Sequence, residues 1–132
     1  MIIGVKGFVN IDDIDAKKKK HCKSIKEFLK PYNIMGIYGI YLGEELIYIG
    51  QSKNIGKRWV THKTHIIKNP SECRKYMRDY LPLYNLLRTY YLAGMSKDIN
   101  FSVLKFVNNE NLLLVEESRY INKFKPKYNI RY

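Results

Sequence analysis

A chain of 132 residues with 45% hydrophobic content fits one domain with its own core. At that length it buries roughly two-thirds of the surface its unfolded chain exposes, so no staple is required. A formal net charge of +12 and a pI near 9.7 point to a polyanionic partner, nucleic acid ahead of a membrane surface. Cys22 and Cys73, with no Cys-x-x-Cys pair, exclude a cysteine zinc site and read as reduced thiols. No apolar run approaches the ~20 residues that cross a bilayer, and the N-terminus lacks the pattern of a signal peptide. The expectation is a soluble, cytoplasmic protein.

In chain order, "IIGVKGFV" at 2–9 reads as a short strand. Residues 12–30 read as a helix with an Asp cap, a ragged apolar face and a run of lysines, ending at Pro31. Residues 35–42 and 45–50 are β-rich and joined by a turn at Gly43 and Glu44, which predicts a hairpin. Asn54 is placed to cap a helix over 55–67, with Ile55, Trp59 and Ile66 on its apolar face. "NPSEC" at 69–73 is a break. A helix over 81–94 has Pro82 in its first turn and Gly94 after its end. "INFSVLKFV" at 99–107 alternates as a strand does, and 110–124 is a helix that stops before Pro126. The order predicts an α+β domain, a small three-stranded antiparallel sheet flanked by helices. We take 1–132 as a single domain, with 1–34 an N-terminal extension holding a short strand and a basic helix.

Three places carry residues suited to chemistry. On the helix at 110–124, Leu113, Leu114, Ile121 and Phe124 define an apolar stripe, and Glu117 lies along it. A carboxylate there is costly unless paired, protonated or metal-bound, and it reads equally as a half-exposed acid at the stripe's edge. Its neighbour Glu116 points towards Arg119 and Lys123 and reads as a surface ion-pair residue. On the helix at 55–67, Arg58 and His62 share a face beside the Trp59 stripe. That face is either a solvated basic surface or a guanidinium held over a phosphate, with an imidazole able to move a proton. Lys53, Lys57, Lys63 and Lys68 surround the pair and suit phosphate contacts. Asn129, after Pro126, suits structural support through backbone hydrogen bonds.

The hairpin spells Gly-Ile-Tyr twice, at 36–38 and 39–41. Tyr38 and Tyr41 face opposite sides of the sheet, and only one shares the face of Tyr48. A two-residue turn at Gly43-Glu44 selects Tyr41, a three-residue loop selects Tyr38, and a bulge reconciles a two-residue turn with Tyr38.

Together these pieces resemble the GIY-YIG nuclease family. The match runs through Gly36-Ile37-Tyr38, then "YIGQSKNIGKRWVTH" at 48–62, then "LLLVEESRYINKFKPKYNI" at 112–130. The family spacing favours Tyr38 over Tyr41. The resemblance implies a small antiparallel sheet flanked by helices that cuts nucleic acid, double-stranded DNA above all, with one Mg²⁺ or Mn²⁺. It implies Glu117 as metal ligand, Tyr38 as activator of the attacking water and Tyr48 as holder of the water or the phosphate. Arg58 would steady the pentacovalent phosphorus, His62 assist the base and Asn129 brace the site. Lys53, Lys57, Arg58, Lys63 and Lys68 would bind the nucleic acid. The chain has the look of a stand-alone catalytic domain without a zinc module or DNA-reading partner. Specificity is then left to few contacts, to DNA shape, to a homodimer or to another chain. A non-cleaving binding module on the same fold and an RNA-directed nuclease are the alternatives.

Overall fold

The structure, a computed structural model, describes residues 7–14, 31–67 and 80–129. Four strands form one antiparallel sheet: β1 (Phe8–Asn10), β2 (Gly36–Leu42), β3 (Glu45–Ser52) and β4 (Ile99–Phe106), in the spatial order β1-β4-β2-β3. The sheet therefore has one strand more than the three expected. The extra strand is β1, whose pairing Phe8↔Ser102 joins positions far apart in sequence. Asn10 fixes this edge, its side-chain amide donating to the Ser96, Lys97 and Ile99 carbonyls. Behind it, residues Ile11–Asp13 form a 3₁₀ turn and Ile14 is extended, so no α-helix starts at position 12. Most of the expected helix 12–30, together with Cys22, Cys73, Lys68 and the break at 69–73, lies outside the described residues.

Three helices follow: α1 (Ile55–Ile67), α2 (Leu81–Leu92) and α3 (Leu113–Phe124). Asn54 caps α1 as expected, its Oδ1 accepting from the Lys57 amide at 3.1 Å. A 3₁₀ turn, Glu110–Leu112, precedes α3, so the α-helix proper starts later than the predicted 110. At its other end Lys125 takes the left-handed conformation (φ 46°), and Pro126 cannot continue the helix.

Side chains of the sheet alternate between two separate cores. Tyr38, Ile40, Phe101 and Val103 point to one face and pack with Trp59 and Ile66 of α1 and Leu83, Tyr84 and Leu87 of α2. Ile11 and Ile14 of the N-terminal segment also belong to this core. Ile37, Ile49 and Leu104 point to the other face and pack with Leu113 and Ile121 of α3. Leu114 and Phe124 are exposed, so the apolar stripe of α3 is narrower than the sequence suggested.

The β2–β3 hairpin closes through the two-residue turn, pairing Leu42 with Glu45. Gly43 has φ +62° and Glu44 has no positive φ, as the first and second positions of a type II′ turn require. Beyond the turn, Tyr41 pairs with Leu46 but Ile40 pairs with Tyr48. Ile47 is thus an extra residue on β3, and this bulge brings Tyr38 and Tyr48 to the same face. Tyr41 packs on the opposite face, its ring 4.8 Å from that of Phe8. A second irregularity, where Ile37 pairs with Lys105 but Tyr38 with Val103, turns both Leu104 and Lys105 towards α3.

Candidate active site

β3 is the free edge of the sheet, and an edge strand leaves backbone groups unpaired. Asn129 covers part of that edge. Its Oδ1 accepts from the Ile49 amide at 2.8 Å and its Nδ2 donates to the Ile49 carbonyl at 2.7 Å, so the side chain stands in for a neighbouring strand. The Tyr128 amide donates to the Ile47 carbonyl at 2.9 Å. Along the rest of this edge runs an open cleft of about 580 Å³. Residues from both sides of the sheet meet there: Tyr48 and Arg58 from one, Glu117 and Ile121 from the other, with Tyr80, Gln51 and Lys53 on the rim.

Beneath the cleft lies a line of buried polar groups. The Tyr38 hydroxyl is 2.6 Å from Nε2 of His62, and the Tyr84 hydroxyl is 2.7 Å from Nδ1. Tyr38, His62 and Tyr84 are all fully buried. Burial first, then Arg58 and His65, push the imidazole down to about 3, so it is neutral near pH 7. One ring nitrogen then donates and the other accepts. Of the two readings of this helix face, a solvated basic surface does not apply at His62, whose ring is buried between the two phenols. Burial also raises the Tyr38 phenol well above its ordinary value, with Tyr80 adding to the effect and Arg58 opposing it. Its ring lies over Gly50, where a Cβ would come within 2.5 Å of the Tyr38 hydroxyl. Gly50, which closes the sequence Tyr48-Ile49-Gly50, is therefore the seat of the Tyr38 ring.

Tyr38 itself does not border the cleft; Tyr48 does, with the two ring centroids 6.4 Å apart. Burial raises the Tyr48 phenol too, and the hydroxyls of Tyr38 and Tyr80 reinforce the shift. Arg58 is half-buried on the cleft wall, and its Nη1 donates to the Tyr80 hydroxyl at 3.4 Å. Burial raises the Glu117 carboxyl above the usual range, against the pull of Arg58. Among the described residues, none makes a hydrogen bond or ion pair with that carboxylate. Glu116, expected on the surface, is the more buried of the two: it ion-pairs with Lys105 at 3.1 Å and Arg119 at 3.4 Å on the side away from the cleft.

The predicted basic residues divide. Lys53 rims the cleft and pairs with Glu110 at 2.7 Å, and Lys57 is exposed. The Lys63 ammonium instead donates to the Ile14 carbonyl at 2.7 Å and holds the N-terminal segment in place. The sequence reading missed Tyr80 and Tyr84. Their four-residue spacing at the start of α2 is the signal that would have found them, as two polar-tipped rings on one helix face.

The chain is similar to several known proteins. UvrABC system protein C from Nautilia profundicola is 37% identical over 98 residues, which is 72% of this chain and 13% of that protein's length. The chain thus corresponds to a small part of that relative. Among solved structures, the magnesium-bound GIY-YIG N-terminal endonuclease domain of UvrC from Thermotoga maritima is 19% identical, with a TM-score of 0.45. It covers 86% of this chain and 100% of its own. A point mutant of that domain, bound to its catalytic divalent cation, gives 19% identity, the same coverage and a TM-score of 0.46. A family model described as the GIY-YIG catalytic domain matches residues 34–129. That match takes in every cleft residue from Tyr48 to Asn129, and the chain belongs to the GIY-YIG nuclease family.

Proposed function

We propose that the chain is a divalent-metal-dependent endonuclease that hydrolyses phosphodiester bonds in double-stranded DNA. One observation carries this reading: a carboxylate that no described residue ion-pairs, a guanidinium and a phenol line the same cleft on a strongly basic protein. A phosphodiester repels an incoming hydroxide, so cleavage needs positive charge at the non-bridging oxygens and a local acceptor for the water's proton.

Glu117 would hold the metal. With Glu117 as the carboxylate ligand, water and phosphate oxygens would supply the other donors. Mg²⁺ tolerates that arrangement, and Mn²⁺ accepts the same oxygen donors. The half-buried, elevated Glu117 carboxyl fits it, because a bound cation removes the cost of ionising there. When bound, the metal supplies positive charge to the phosphate and lowers the pKa of nearby water. Arg58 neutralises charge on the pentacovalent phosphorus. Tyr48, on the cleft wall, would contact the water and accept its proton, with Arg58 and the metal favouring the phenolate; this is the role implied for Tyr38, which does not border the cleft. Tyr38 acts one layer deeper, and with His62 and Tyr84 it fixes the Tyr48 ring from behind. Asn129 keeps β3 and the end of α3 together, and Lys53 and Lys57 bind flanking phosphates. The same reading places the protein in the cytoplasm, either as a monomer or as a homodimer.

Incubation with supercoiled plasmid and Mg²⁺ or Mn²⁺, beside a Glu117→Ala control, tests this. The expected result is metal-dependent cutting by wild type and none by the variant. Nicked circles indicate a monomer acting on one strand, and linear product indicates a dimer. If both proteins shift the plasmid on a gel without cutting it, the chain is a binding module instead. Cutting of RNA alone would overturn the choice of substrate.

A further inference from the structure

Tyr80 belongs to none of the motif stretches that carry the family resemblance, yet it contacts Arg58, Tyr48, His62 and Tyr84. Its hydroxyl accepts from Nη1 of Arg58 at 3.4 Å. Its ring stands edge-on to Tyr48, with centroids 5.9 Å apart and planes at 63°. It also stacks on Tyr84, at 5.5 Å and 20°. Tyr84 is in turn fixed by its fully buried hydroxyl against His62. A rigid line therefore runs from the core through Tyr84 and Tyr80 to a long, rotamer-rich arginine. An arginine loses side-chain freedom when it meets a ligand, and a prior partner that already restricts it lowers that cost.

We infer that Tyr80 is a positioning residue: its hydroxyl presets the Arg58 guanidinium for the substrate phosphate, and its ring holds Tyr48 at the cleft wall. This rests on the reading of Arg58 as the phosphate contact. A ring that merely fills space at the start of α2 would keep its effect when the hydroxyl is removed.

The test compares Tyr80→Phe, Tyr80→Ala, Arg58→Lys and the double variant Arg58→Lys/Tyr80→Phe in single-turnover plasmid cleavage. Loss of the hydroxyl from a charged pair is expected to slow cleavage about tenfold in Tyr80→Phe. Because the hydroxyl works through Arg58, the double variant should be no slower than Arg58→Lys alone. Tyr80→Phe cleaving like wild type overturns the inference, as does a double variant slowed by the full product of the two single effects. A second readout needs no cleavage: hydrogen exchange of the Arg58 Nη–H groups by ¹⁵N NMR should be faster in Tyr80→Phe than in wild type. If wild type does not cut but this exchange differs, the nuclease reading fails and the positioning role stands. Equal exchange in both proteins sinks the positioning role whatever the plasmid shows.

Discussion

The two faces of the sheet are built from the same four strands but hold different kinds of core. The face under α3 is aliphatic: Ile37, Ile49, Leu104, Val107, Leu113 and Ile121. The face under α1 and α2 is aromatic and threaded with polar atoms, Tyr38, His62 and Tyr84 among them. Aliphatic side chains have no polar atoms to satisfy, so this cluster supplies stability with little constraint on orientation, and the polar groups on this side, Glu116 and Tyr120, sit at its margin. A phenol–imidazole–phenol line is only tolerable when each member is paired, which fixes every ring in the line. The site takes its rigidity from the second face, while the first carries α3 and with it Glu117. The Glu116–Glu117 pair divides along the same boundary, one carboxylate bound to Lys105 and Arg119, the other turned to the cleft.

Four experiments can break or sharpen this division. The largest effect is expected from Glu117→Gln, which should lower cleavage on the order of a thousandfold, as loss of a group that stabilises the transition state does. Stability should move the other way. Glu117 is raised on folding, so its contribution is present at low pH and lost as pH climbs through the folded value. The ionised carboxylate is then a cost at pH 7, and Glu117→Gln should melt above wild type there. A lower melting temperature would show that Glu117 is held by contacts of its own. Next, Leu104→Ala on the aliphatic face should cost about 2–5 kcal/mol in urea unfolding while the folded fraction still cuts at the wild-type rate. A cleavage defect larger than the unfolded fraction explains would mean the two faces are not independent.

The third concerns acid. His62 is depressed from an ordinary 6.5 to about 3. The unfolded chain therefore binds a proton that the folded chain refuses, and stability present above 6.5 is lost as pH falls towards 3. The slope approaches about 1.4 kcal/mol per pH unit in that window. In His62→Gln the baseline stability is lower, but the difference between unfolding at pH 7 and at pH 4.5 should shrink. An unchanged difference would assign the acid sensitivity to carboxylates. The smallest effects come from the doubled triplet. Tyr38→Phe removes the bond to His62 and should cost about 1–3 kcal/mol, because a buried imidazole nitrogen loses its partner. The Tyr41 hydroxyl is buried with no hydrogen bond from the described residues, so Tyr41→Phe should be neutral or slightly stabilising by thermal melting.

What the sequence made legible was local. Helix α1 stands at the residues its cap and apolar spacing indicated, because Asn54, Ile55, Trp59 and Ile66 encode it within a few turns. Glu117 stood out because an acid on an apolar stripe is anomalous wherever the helix packs. Long-range pairings were not legible. The burial of Glu116 depends on Lys105, which reaches it only because β4 is irregular beside Tyr38. The fourth strand depends on β1 finding β4 across most of the chain. The burial of His62 was not legible either, because the partners that bury it, Tyr38 and Tyr84, come from a strand and from another helix.

The extra residue at Ile47 has a consequence for how this hairpin can vary. It works as a frameshift: upstream and downstream of it, the same spelling of β3 points to opposite sides. Closing the bulge with every residue kept would pair Gly39 with Tyr48 and bring Tyr41, in place of Tyr38, beneath the cleft, whereas deleting Ile47 would leave Ile40 opposite Tyr48 in an unbroken ladder. Loss of Ile47 alone should therefore be tolerated better than loss of Leu46 and Ile47 together, which would set Tyr48 opposite Tyr41. What the hairpin must conserve is which residue stands across from Tyr48, more than the length of the strand that delivers it.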